Sequence, residues 1–270
     1  MKICVVGLGL MGGSLSLALR GAGYTVFGYD KSQLTRTYAL NNGFVEEISD
    51  DYSKFDLVIV ALPYEDTVAF LDTTSFKEGA IVTDICGVKE AIEAVICRNE
   101  RTFKYIGCHP MAGKERSGIE HASKDLFRGA NMIITVNQST DKAALEVLEN
   151  IFKEIGFGKI VKCSADYHDK KIAYTSQLAH LVSNAYVKDS EIQNCLHFTG
   201  GSFQDMTRIA GVDEKVWSSL YLANRENLSE KIRSLINSLQ ELKNAVDSGD
   251  KGLLEKVLSE GKSAFENNKN

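Results

Sequence analysis

The chain has 270 residues, 44% apolar and 25% charged, which is enough for one large or two modest domains with packed cores and too apolar for extensive disorder. Its 36 acidic and 31 basic residues leave a formal charge of -5 with no basic block, which argues against a nucleic-acid partner. Six cysteines, at 4, 86, 97, 108, 163 and 195, form no Cys-x-x-Cys pair and no zinc spacing with histidine, Cys195 and His197 included, so reduced thiols in a cytoplasmic protein without a metal are expected.

In chain order, Lys2 and the apolar residues 3–19 superficially resemble a secretory signal. Gly7, Gly9, Gly12 and Gly13 would break the apolar helix that a signal needs, and no other segment approaches the ~18 apolar residues of a membrane span. The expectation is a soluble, unprocessed chain with no membrane partner. The same glycines suit a strand over 2–7 that turns tightly into a helix over 10–20. Gly7-Leu8-Gly9-Leu10-Met11-Gly12 then carries a Gly-x-Gly-x-x-Gly spacing, in which glycines allow close backbone approach to a pyrophosphate held by free helix amides.

A second strand, 25–29, ends on Asp30, about twenty residues past the glycines, where a carboxylate accepts hydrogen bonds from ribose hydroxyls. That charge repels a 2′-phosphate and favours NAD over NADP, with Lys31 and Ser32 beside it; Asp30 also suits the N-cap of a helix over 31–40, and the two roles can coexist. Strands at 56–61, 80–84 and 105–108 alternate with helices from 65 and over 88–98, the pattern of a doubly wound parallel sheet. Ligands bind such sheets at the carboxyl ends of the strands, so Leu62, Pro63, residues 84–89 and His109 are expected to face one crevice. A strand at 131–136, a helix over 140–155 and a strand at 159–162 follow, punctuated by Gly156 and Gly158.

His109 is the most informative residue, because it stands where the apolar run 105–108 ends and is followed by Pro110, one of two prolines, and then by the polar loop Lys114-Glu115-Arg116-Ser117-Gly118. A strand-end histidine capped by a turn is the plain alternative to a catalytic base.

From 164 the texture turns helical, with an N-cap at 164–166 and a helix of about twenty residues. His180 lies mid-helix beside Gln177, and Arg208 follows a glycine break at 200–201; alone, these would be a satisfied histidine and a surface cation, although a guanidinium also grips a carboxylate best. Leu228, Ile232, Leu235, Ile236, Leu239, Leu242 and Val246 form a stripe too extensive for one slim helix to cover, which points to a homodimer, with intrachain packing as the alternative. Residues 247–249 stop that helix, and 267–270 are expected to fray.

Taken together, Gly7 to Gly13, Asp84-Ile85-Cys86-Gly87-Val88-Lys89, His109-Pro110-Met111-Ala112-Gly113 with Glu115, Ser117 and Gly118, His180, and residues 203–210 followed by Trp217 resemble the prephenate and arogenate dehydrogenases. The resemblance covers nearly the whole chain. It implies an α/β Rossmann-type dinucleotide-binding domain over 1–163 and an all-α C-terminal dimerisation domain over 164–270. It also implies oxidation of prephenate at its C4 alcohol, with hydride going to NAD and the ring carboxylate leaving as carbon dioxide, to give 4-hydroxyphenylpyruvate in tyrosine biosynthesis.

In that reading His109 is the base, Arg208 binds a substrate carboxylate with Asp205 in support, His180 holds the other end of the substrate, and Lys114 and Glu115 border the entrance. Two positions depart from the family: Gly87 stands where many relatives carry serine, and Gln177, which would take part in side-chain recognition, where some carry histidine. Other readings are an arogenate dehydrogenase, a β-hydroxyacid-type dehydrogenase relying on Lys170 or Lys171, and a non-catalytic NAD-sensing module.

Overall fold

The computed structural model describes residues 1–267, and the rest of the expected frayed end, 268–270, lies outside them. Asn267 itself still belongs to the last helix. Strand β1 (Ile3–Val6) turns into helix α1 (Leu10–Gly21), followed by β2 (Val26–Tyr29), α2 (Gln33–Asn41), β3 (Glu47–Ile48), β4 (Leu57–Val60), α3 (Tyr64–Thr73), β5 (Ile81–Asp84), α4 (Glu90–Ile96) and β6 (Lys104–Tyr105). These six strands form one parallel sheet in the order β3-β2-β1-β4-β5-β6, so the winding reverses between β1 and β4. That reversal is the place where doubly wound sheets open a ligand crevice.

The central strands β1 and β4 are apolar throughout because both their faces are covered. Ile3, Val5, Leu57 and Ile59 point to one face and pack with Leu15, Leu19, Leu148 and Phe152. Cys4, Val6, Val58 and Val60 alternate to the other and pack with Phe55, Ile92 and Phe103, as a two-residue period requires.

The expected strand at 105–108 is two strands in two sheets. The chain leaves the parallel sheet after β6, passes Gly107 and re-forms as β7 (Cys108–Pro110), antiparallel to β8 (Met132–Thr135). Gly107 permits the break: a Cβ there would stand 2.6 Å from Thr135 Oγ1 and 3.0 Å from Lys89 Cδ, closer than packed atoms allow. Helix α5 (Lys142–Glu154), capped by the Asp141 side chain on the Ala144 amide, leads to β9 (Ile160–Cys163), parallel to β8. His109 thus lies inside a paired strand, opposite Ile133, rather than beyond a strand end.

The Ser164 side chain caps α6 (Ala165–Ile172), which runs through a single π-helical turn at Ala173–Gln177 into α7 (Leu178–Tyr186). Such a turn inserts an extra residue and is frequent at functional sites. Helices α8 (Gly201–Thr207) and α9 (Glu214–Ala223) complete one compact unit, residues 1–224. The second unit, 225–270, is a hairpin of α10 (Arg225–Asp247) and α11 (Lys251–Asn267), joined at Gly249 with φ +67°. Strands give way to helices after β9, well before the division between the units. Among the described residues no helix is long and apolar enough to cross a membrane, and no group of three or more His, Cys, Asp or Glu could hold a metal ion.

Candidate functional site

The turn after β1 accepts only glycine at two points. Gly7 has φ +88°, and a Cβ on it would lie 2.4 Å from Ala61 O; one on Gly12 would lie 1.8 Å from Gly7 O. These contacts seat the start of α1 directly against the turn and the end of β4. Gly9 is different: nothing stands within 4 Å of where its Cβ would be, and no side chain caps the first turn of α1, which carries no acidic residue. Free amides at the positive end of a twelve-residue helix beside open space fit the pyrophosphate of a dinucleotide. Leu8 is fully buried, and Leu10 nearly so, so only their backbones are available to a ligand, with the Met11 side chain half-buried beside them.

Asp30 Oδ2 accepts from the Leu8 amide at 2.9 Å and Oδ1 from the Ser32 amide at 2.8 Å, tying the end of β2 to the glycine turn. The helix cap expected of Asp30 belongs to Ser32, whose Oγ accepts from Thr35 N, because α2 starts two residues later than the sequence pattern indicates. Arg36 donates to the Asp30 carbonyl at 2.6 Å and lies over the Tyr29 ring, which sets a cation close to the same strand end. Just past the end of β4, Leu62 is half-buried and Pro63 exposed, and the Thr67 hydroxyl donates to the Leu62 carbonyl at 2.9 Å.

At the end of β5, the loop holding Gly87 lies against His109. A Cβ on Gly87 would meet His109 Cε1 and Nε2 and Leu220 Cδ1, each at 3.8 Å. Behind the ring is a buried polar cluster. His109 Nδ1 lies 2.8 Å from His168 Nε2, and His168 Nδ1 lies 2.6 Å from Asp169 Oδ1. Asp169 also accepts from the amides of Lys89, at 2.9 Å, and Glu90, at 3.0 Å, and so supplies the cap that α4 lacks within its own segment.

Lys89 is completely buried, its ammonium on Asp84; Asp84 accepts in addition from the Tyr105 hydroxyl at 2.5 Å and the Cys86 amide at 2.8 Å. Burial, then the electrostatic influence of His168 and Lys89, holds the His109 pKa well below its ordinary 6.5, so the ring is uncharged at neutral pH. Burial also pushes the Cys86 thiol up to about 11 and Cys108 to about 12, so both stay protonated and unreactive.

Of the other expected site residues, Arg208 and Glu115 meet: Nη1 donates to Oε1 at 2.8 Å in an exposed ion pair between the residue after α8 and the loop after β7. Lys114 donates to the His121 carbonyl at 3.0 Å within that loop, and Asp205 is exposed on α8. His180 shares its Nδ1 proton with the Ile209 carbonyl at 3.0 Å and packs on Trp217, ring centroids 4.0 Å apart. Gln177 is only 2% exposed, and its amide is engaged by Asn224 at 2.8 Å and the Leu220 carbonyl at 3.3 Å, so it braces the π-helical turn.

The pattern reading missed His168 and Asp169. A signal existed: Ala165, His168, Asp169 and Ile172 form the buried stripe of α6 at helical spacing, with an imidazole and a carboxylate in positions that otherwise take apolar residues.

Residues 15–162 match the family described as prephenate dehydrogenase, nucleotide-binding domain, and residues 164–260 that described as prephenate dehydrogenase, dimerization domain. The chain is 28% identical over 266 residues to the prephenate dehydrogenase of Bacillus subtilis, spanning 92% of this chain and 71% of that one. It superposes on the prephenate dehydrogenase of A. aeolicus, solved with hydroxyphenyl propionate and NAD+, with TM-score 0.84, 28% identity and 98% coverage of both chains. The arogenate dehydrogenase of Synechocystis gives TM-score 0.82 with 26% identity and 99% coverage of both chains.

Proposed function

The chain belongs to the prephenate dehydrogenase family, and from that premise we propose that it oxidises and decarboxylates prephenate to 4-hydroxyphenylpyruvate with NAD as the acceptor. The observation that carries the reading is the neutral, backed imidazole of His109 beside the β5 loop, in a fold whose glycine turn fits a dinucleotide. Bound NAD supplies the hydride acceptor. Backbone amides of residues 9–12 would hold its pyrophosphate, Asp30 the adenosine ribose, and Leu62 and Pro63 would border it.

His109 Nε2 accepts the hydrogen bond of the C4 hydroxyl and takes its proton as the hydride departs, the role of a positioned general base. Arg208 binds a substrate carboxylate with Asp205 nearby, and its pairing with Glu115 keeps the guanidinium aimed while leaving other N–H groups for that carboxylate. His180, fixed through Nδ1, holds the far end of the substrate through Nε2, and Lys114 lines the entrance.

Residues 1–163 act as the NAD-binding part and 164–270 as the substrate-binding and dimerising part; the family matches on either side of 163 support that division, and the dimerization description supports a homodimer. Oxidation of arogenate is the second reading, supported by the likeness to an arogenate dehydrogenase.

The test offers purified protein prephenate or arogenate with NAD or NADP and follows reduced nicotinamide. The expected result is NADH formation with prephenate, and a kcat about 10²- to 10⁴-fold lower in His109→Asn with KM little changed. Absence of turnover on both substrates would overturn the reading.

A further inference from the structure

The contacts behind His109 run in one direction. Asp169 receives the Lys89 and Glu90 amides at the start of α4 and is therefore an acceptor toward His168. The 2.6 Å contact to His168 Nδ1 then requires the proton on that nitrogen, and a neutral His168 is left with a bare Nε2. At 2.8 Å that nitrogen accepts from His109 Nδ1–H. The Nε2 of His109, on the side of the ring bordered by Gly87 and Leu220, is left bare. His168 and Asp169 are both 1% exposed, and Asn224 pins their helical turn by donating to the Asp169 carbonyl at 2.9 Å. A chain with one allowed direction and no solvent to exchange its partners fixes a tautomer.

We propose that His168 and Asp169 are positioning residues for His109, holding its Nε2 bare and receiving its Nδ1 proton during turnover. The step rests on the base role given to His109 above. The substrate O–H bond breaks and its proton bonds to His109 Nε2; the Nδ1–H bond breaks and that proton bonds to His168 Nε2. The C4–H bond breaks and its electron pair would leave as hydride to a bound nicotinamide, while the O–H pair becomes the C4 carbonyl. The bond from the ring to its carboxylate then breaks as carbon dioxide departs, its pair aromatises the ring onto the C4 oxygen, and that oxygen takes the proton back as the relay reverses, giving the phenol. Until that return the positive charge sits on His168 beside the Asp169 carboxylate, and not on His109, which has the Lys89 ammonium as a neighbour and no carboxylate in contact.

His168→Gln separates this from a structural role, since its amide carbonyl accepts from His109 Nδ1–H but holds no further proton. The expected result is a kcat lower by about 100-fold or more, with KM for prephenate and Kd for NAD changed by less than about threefold. Asp169→Asn, which offers an N–H to His168 and reverses the chain, is expected to fall at least as far. A His168→Gln kcat within about threefold of the unaltered protein overturns the proposal.

Nitrogen-15 spectra of the histidines in the unaltered protein, without substrate and at neutral pH, stand apart from folding of the variants and from substrate identity. They are expected to show His109 protonated at Nδ1 and bare at Nε2, and the opposite tautomer overturns the proposal. Failure of the unaltered protein to oxidise either cyclohexadiene would count against the proposed function, whereas the spectra would still report on the chain of contacts.

Discussion

Gly87 leaves one side of the His109 ring uncovered, and the geometry says what a side chain would do there. The position has no left-handed φ, and a Cβ would make ordinary 3.8 Å contacts with the imidazole and Leu220, so serine fits without strain. Its hydroxyl would lie within reach of a group bound at Nε2 and could hydrogen-bond the reacting oxygen. A neutral hydrogen bond contributes about 0.5–1.5 kcal/mol, so Gly87→Ser is expected to raise kcat/KM for prephenate by roughly two- to tenfold, with Gly87→Ala unchanged or lower. Steady-state kinetics of the two variants check this, and equal values for serine and alanine would remove the hydroxyl from the account. Arg208 presents the opposite case, a group placed by a partner. With Glu115 holding one guanidinium nitrogen, Arg208→Gln keeps a polar side chain but loses the charge-assisted grip on a carboxylate, worth about 1.5–3 kcal/mol. The expected outcome is a KM for prephenate raised by roughly one to two orders of magnitude with kcat much less affected; an unchanged KM would make the ion pair merely structural.

Helix α4 shows how an element can depend on groups far away in the chain. It is only seven residues long, has no cap from its own segment, and begins over the buried Lys89–Asp84 pair with Asp169 closing its first amides. Removing one member of a buried pair leaves a charge that neither water nor a counter-ion satisfies. Lys89→Met is therefore expected to lower unfolding free energy by about 3–5 kcal/mol, and Lys89→Met with Asp84→Asn to recover much of that loss. Urea titrations of both variants measure it, and an additive double variant would refute the coupling.

The same element marks how much was legible in the sequence. The alternation in Leu57-Val58-Ile59-Val60, the glycines after β1 and the carboxylate closing β2 are local signals, and each describes its own surroundings. Lys89 reads as a surface lysine because its partners are defined only by the fold, five residues away at Asp84 and eighty at Asp169. Gly107 likewise reads as one residue of a strand, since the atoms that forbid a side chain there come from Thr135 and Lys89. His109 stands out as a candidate base from its own neighbours in the chain, whereas the groups behind it, 59 positions later, require the topology that brings α6 against β7 and α4.

At the scale of the molecule, residues 225–270 pose a question of burial. A two-helix hairpin of 46 residues is below the size at which one core ordinarily sustains itself. Helix α10 is 23 residues, ~35 Å long, yet only Leu228 and Ala245 along it are buried, and no residue of α11 is. Ile236, Leu239, Val246 and Leu258 are all more than half exposed, a run of apolar surface that water solvates at a cost of about 25 cal/mol per Å². A second copy of the hairpin offers a matching surface, because a two-fold axis sets the same stripe on both sides of one interface. The chain is accordingly expected to sediment at about 59 kDa, twice its 29.7 kDa. Ile236→Asp with Leu239→Asp puts two carboxylates where apolar contacts would form, and their desolvation opposes association. That variant is expected to shift to about 30 kDa and to melt at a lower temperature, with a midpoint that no longer rises with protein concentration. A dimer of unchanged stability in the double aspartate variant would move the interface off this stripe.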